Sequence, residues 1–248
     1  MLSEYLFPYV LRILPGLVLG IASLVALRRH APSVRILVYI LIFVLTRDAM
    51  TPMGLWEFGA TNAFWLRFTA PGPILVILGI TSALLVVAMQ TLDPEVRGYV
   101  EWFVGPRAGA VLEGIGGALL VAAPLLIWYL FVPIETRGGV VATGLLPAVL
   151  VVTLLGNLYE EVLFRGYLQG YLETACGMGR YHAGITSGLL FGLGHSFLAL
   201  TVTAVGWPIL LFATYEGIVC GVIRARRGVA AAVLTHGLAI FVLASGLV

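Results

Sequence analysis

The sequence predicts an all-α fold, a polytopic transmembrane helical bundle of about eight spans, and three observations carry that prediction. Sixty percent of the 248 residues are hydrophobic and only 10% are charged, with a mean hydropathy of +1.05, a composition foreign to soluble globular domains. Apolar windows close to the ~20 residues that a spanning helix needs recur along the chain, separated by short polar breaks that leave no room for a soluble domain. Arginines gather in alternate breaks, as expected of a chain threading a bilayer.

Taken in order, the expected spans are residues 5–27, 33–46, 71–90, 109–132, 140–159, 183–204, 207–223 and 229–247. The first is read as a retained helix, because Glu4 stands where a signal peptide would carry a basic residue and the apolar run ends in Arg28, Arg29 and His30. The second is the shortest and weakest. Residues 91–107 mix Asp93, Glu95, Arg97 and Glu101 with Val96, Tyr99, Trp102 and Phe103, which predicts a cytoplasmic loop with an interfacial amphipathic stretch. The chain then divides into N-terminal helices with that loop, 1–139, and a helical core, 140–248, that holds the clustered polar residues. Gly16 and Gly20, and Gly184, Gly188 and Gly192, recur every four residues and predict close helix packing. Neither an internal repeat nor a pair of interrupted helices is visible, which speaks against a secondary transporter.

All 14 basic residues are arginines. With eight spans, Arg28, Arg29, Arg35, Arg97, Arg107, Arg165, Arg180, Arg224, Arg226 and Arg227 fall to one side, Arg47, Arg67 and Arg137 to the other, and Arg12 within the first span. The positive-inside rule then puts the first set in the cytoplasm and both termini outside. A net charge of +2, scattered along the chain, gives no basis for a nucleic-acid partner. Cys176 and Cys220 form neither a disulfide framework nor a thiolate metal motif. The absence of lysine beside abundant Arg, Ala, Gly and Val suggests a GC-rich prokaryote, and so a multi-pass protein of a prokaryotic cell membrane.

Charge inside a bilayer costs about 2.5–3.5 kcal/mol per residue even on lenient scales, so intramembrane ionisable residues are functional candidates. Glu161 and Arg165 share a helix face at a spacing of four, which suits an ion pair. Glu160 is rotated ~100° from that face, has no basic residue three or four positions on, and is therefore the candidate general base for water. His195, one turn after Phe191, and His236 in the last span can each address a water or a carbonyl oxygen near Glu160. Glu113 and Glu216 are single acids read as packing partners, with the cavity wall as the alternative. No cofactor is expected. Zinc on a Glu and two His remains a rival, although no HExxH is present.

Glu160, Glu161 and Arg165 (EExxxR), Phe191 to His195 (FxxxH) and His236 in a last helix together resemble the motifs of the CPBP family, the CAAX proteases and bacteriocin-processing (Abi) proteins, and in particular its type II CAAX prenyl endopeptidases. The resemblance covers about 140–248. It implies a glutamate-type intramembrane protease whose cavity opens to the cytosol, with Glu160 and His195 activating water, His236 in the oxyanion hole, and a membrane-anchored or lipidated protein or peptide as substrate. Where the family carries Asn four residues after that His, this chain has Ile240. Such a chain could be slow, could recruit Asn157 as oxyanion or substrate support beside Phe191, or could be a non-catalytic membrane scaffold or immunity protein.

Overall fold

The computed structural model describes residues 2–59, 63–203 and 205–247. Helices α1 (Leu2–Ala26) and α2 (Pro32–Met50) are followed by a hairpin of β1 (Trp56–Gly59) and β2 (Trp65–Phe68). Then come α3 (Gly72–Leu92), a four-residue α4 (Pro94–Arg97), α5 (Arg107–Tyr129) and α6 (Leu146–Glu161). The α6 helix continues through a π-helical stretch, Val162–Leu168, into α7 (Gln169–Thr174); α8 (Arg180–Gly194), α9 (Trp207–Arg227) and α10 (Val229–Ala244) complete the bundle.

Among the described residues seven helices are long and apolar enough to cross a membrane, and α10 is a shorter apolar helix of 16 residues. All eight expected spans are therefore helical. The weak second one is a full-length candidate, Pro32–Met53, because a 3-10 turn extends α2 past Arg47. The fifth is corrected: it runs Thr143–Thr174, so Glu160, Glu161 and Arg165 lie mid-helix instead of at a membrane edge. The polar run that looks like an exit from the bilayer is an interior network.

The helix ends sort into two groups. At one end, Arg35 binds Asp93 (2.7 Å) and Glu95, Arg224 binds Glu173, and Glu113 accepts from Arg226 (2.7 Å) and Arg227 (2.6 Å). Glu113 is thus a structural tie and does not line the cavity at Glu160. After α4 the chain is a strap tied to the α9–α10 turn by Val104 N–H to the Arg227 carbonyl (3.0 Å) and Val229 N–H to the Glu101 carbonyl (2.9 Å). Gly228 permits that turn, at φ +89°, and a Cβ there would lie 2.6 Å from the Trp102 carbonyl oxygen.

At the other end the hairpin, absent from the expected spans, pairs Trp56 with Phe68 and Phe58 with Leu66, so these four side chains share one face. Arg67 points the opposite way, is buried, and donates to the carbonyls of Gly139 (3.1 Å) and Leu243 (2.9 Å), which fastens the hairpin to α10 and the loop before α6. Burial pulls the Arg67 pKa below the ordinary arginine value, and those carbonyls compensate the charge.

The Gly184, Gly188 and Gly192 stripe does pack closely, against α9. A Cβ at Gly184 would lie 2.8 Å from the Gly221 carbonyl oxygen and one at Gly188 2.5 Å from the Ile218 nitrogen. Gly20, by contrast, faces open space, so only Gly16 of the first pair, against Thr46, fits the expectation. Because backbone cannot yield as a side chain can, Gly188→Leu is expected to cost about 3 kcal/mol, whereas Gly20→Leu stays within about 0.5 kcal/mol. Paired thermal melts in detergent micelles check this.

Candidate active site

Glu160 is the midpoint of the continuous helix Leu146–Thr174, 14 residues from each end, and is 2% exposed. Two side chains hold it. Arg47, from the last turn of α2, forms an ion pair with Oε1 while its guanidinium lies 5.7 Å from the ring centroids of Phe43 and Trp56. His195, capping the C-terminus of α8, brings Nε2 to 3.4 Å from Oε2. The other ring nitrogen of His195 lies 2.8 Å from the Phe191 carbonyl oxygen, to which only an Nδ1–H can donate, so Nε2 is left facing Glu160.

Glu160 has no cation at helix-face spacing, as the sequence reads, but it does have one from elsewhere in the chain. Its partner lies 113 residues away in sequence, beyond the reach of helix-face spacing.

On the other face of the helix, Glu161 and Arg165 are each fully buried and paired at 3.1 Å, as the spacing predicts. Arg165 also donates to the Gly217 carbonyl (2.9 Å). His236 places Nδ1 2.8 Å from Glu161 Oε1 and Nε2 3.6 Å from Glu216 Oε2. The result is a chain, Arg165–Glu161–His236–Glu216, running from the packed interior to the site. Phe191 is its spacer: its ring lies 4.2 Å from the His195 ring and from the Arg165 guanidinium carbon, and edge-on to His236. Stacked this way, the aromatic ring fixes both imidazoles and shields the cation.

These groups open on a cavity of ≈ 130 Å³ lined by Glu160, His195, His236, Glu216 and Asn157, under a roof of hairpin aromatics. That volume holds several waters, or a side chain with one water. Asn157 is one turn before Glu160, and its buried Nδ2 has no hydrogen-bond partner among the described residues. Ile240, at the position where the resemblance leads one to expect Asn, lines the same cavity.

Sequence reasoning thus found Asn157, Glu160, Glu161, Arg165, Phe191, His195 and His236, and the structure brings them together. His236 sits in the middle of α10, where it bonds Glu161, faces Glu216 and lines the same cavity as Glu160. Arg47 is missing from the sequence reading of the site, and Glu216 takes the alternative place read for it, in the cavity wall. Their only signal was ionisable charge within or beside a span, which does not identify a partner. Among the described residues no group of three or more His, Cys, Asp or Glu side chains is arranged to hold a metal ion.

Residues 142–242 match the family model for type II CAAX prenyl endopeptidase Rce1-like proteins. No curated protein and no solved structure matches the chain. The matched segment runs from the start of α6 almost to the end of α10 and contains every residue of the polar chain, while Arg47 and the hairpin lie outside it. Residues 142–242 are thus similar to the type II CAAX prenyl endopeptidase Rce1-like family.

Proposed function

We propose that this integral membrane protein is a glutamate-dependent intramembrane endopeptidase that hydrolyses a membrane-anchored or lipidated protein or peptide. The observation that carries the reading is the pair of acceptors at the cavity floor, Glu160 Oε2 and His195 Nε2, 3.4 Å apart. Arg47 occupies Oε1 and the Phe191 carbonyl occupies Nδ1, so each group has one acceptor left. A water donating one hydrogen to each turns its oxygen lone pair toward a substrate carbonyl.

As that oxygen bonds to the carbonyl carbon, its proton passes to Glu160 and the carbonyl π electrons move onto oxygen. Asn157 Nδ2 can donate to this oxyanion, and so can His236 Nε2 once it takes the proton it can share with Glu216. The oxyanion then collapses, the C–N bond breaks, and Glu160 returns its proton to the leaving amine. No step in this sequence is routed through a metal.

If Asn157 supplies the donor that Ile240 does not, Asn157→Ala should lower kcat about 10²-fold with little change in KM. Ile240→Asn added to that variant should recover part of the loss. Steady-state kinetics on one cleaved peptide check both.

The reading is tested with purified protein in liposomes and a library of quenched-fluorescence peptides carrying a prenyl or acyl chain. Cleavage that survives a chelator and is lost in His195→Ala supports it. Abolition by the chelator indicates a metal site, and no cleavage of any peptide points to the scaffold or immunity reading.

A further inference from the structure

The site lies at mid-depth, but the space in front of it lies entirely to one side. The cavity is bounded by the hairpin, by the C-terminal ends of α2, α5 and α8, by the N-terminal halves of the α6–α7 helix and α9, and by α10 from its middle to its C-terminal end. All of these belong to the hairpin end of the bundle. Behind Glu160 and Glu161, toward the opposite end, the α6–α7 helix packs closed against α8 and α9: Phe164, Arg165, Tyr167, Gln169, Ser187 and Cys220 are fully buried.

The closed end carries the arginines. With Arg165 now placed in the interior, nine remain at or beyond the helix ends there: Arg28, Arg29, Arg35, Arg97, Arg107, Arg180, Arg224, Arg226 and Arg227. Four lie toward the hairpin end: Arg12, which donates to the Ala49 carbonyl, Arg47, Arg67 and Arg137. An arginine excess in short loops marks the cytoplasmic face. The two expectations from sequence, a cytoplasmic arginine-rich end and a cavity open to the cytosol, therefore cannot both hold in this molecule.

We propose that the site is loaded from the hairpin side and that this side is extracytoplasmic. Resting on the protease reading, this sets the substrate class: a membrane or lipid-anchored protein cut in a segment that approaches from the outer leaflet. About 21 Å of helix separates Glu160 from the hairpin end, so six or seven extended residues of substrate must descend past the hairpin. The face that such a segment would meet is that of Trp56, Phe58, Leu66 and Phe68, which favours bulky apolar side chains. Arg47, beneath Trp56, is the one cation on that path among the described cavity residues.

Thiol labelling decides the question without any substrate. Cys176 is exposed and lies between α7 and α8 at the arginine-rich end, while Cys220 is buried and serves as a silent background. Glu57 is exposed on the hairpin, and Phe212 lines the cavity. In right-side-out membrane vesicles a membrane-impermeant maleimide should label Glu57→Cys in a Cys176→Ser background and leave native Cys176 untouched, with the reverse in inside-out vesicles. A small charged methanethiosulfonate should modify Phe212→Cys from the right-side-out face. Labelling of Cys176 from outside, or modification of Phe212→Cys only from inside or from neither face, overturns the proposal. Because none of these readouts depends on cleavage, a correct sidedness with no protease activity defeats the protease reading alone. Active enzyme with inverted labelling defeats the sidedness alone.

Discussion

Glu160→Gln is expected to lower kcat by about 10³- to 10⁴-fold, toward the upper range for loss of a general base. The amide keeps the shape of the side chain but cannot take the proton from water at the moment of attack. Its effect on folding should be small, because the partner it deprives, Arg47, has a side chain 31% exposed that can turn to water and still lie over Phe43 and Trp56. The measurement is single-turnover cleavage in liposomes beside a thermal melt of the same preparation. Activity within tenfold of the parent at an unchanged melting temperature rejects Glu160 as the base and moves attention to Glu216, the other acid at the cavity. A large fall in melting temperature instead assigns Glu160 a structural task.

What the sequence could disclose about this site follows from how far its interactions reach along the chain. Glu161 with Arg165 is a spacing of four on one helix, and Phe191 with His195 another, so both are written locally. The link from His236 to Glu161 crosses 75 residues and became legible only through the order of three motifs. Arg47 has no such aid: it sits in the N-terminal half, outside the family match, and in a linear count it is one more arginine near a membrane edge. The hairpin was hidden for another reason. Trp56, Phe58, Leu66 and Phe68 do alternate with period two, but four-residue strands inside an otherwise helical apolar chain give a weak signal beside spans of 20 residues. The position of the cavity relative to the arginines is a property of the packed helices, and neither hydropathy nor charge counting contains it.

Removing Arg165 is expected to cause the largest loss of stability of any single change near the site. Arg165→Met keeps most of the volume beneath Phe191 but leaves Glu161 buried without its cation, and breaking such a pair typically costs 3–5 kcal/mol. For a chain of this length that corresponds to a fall of about 10 °C in melting temperature. The buried Oε2 of Glu161 already accepts no hydrogen bond among the described residues, so no spare partner can absorb the change. The double variant Glu161→Gln with Arg165→Met removes both charges and should recover much of the lost stability. It should not recover activity, because the acceptor that orients His236 through Nδ1 has gone. Melts in detergent micelles and kcat on one cleaved peptide separate the two effects. If the double variant regains stability and activity together, His236 does not depend on Glu161 for its orientation, and the polar chain behind the cavity is only packing. If the stability returns and the activity does not, Glu161 and Arg165 hold His236 in place, and the action on water stays with Glu160 and His195.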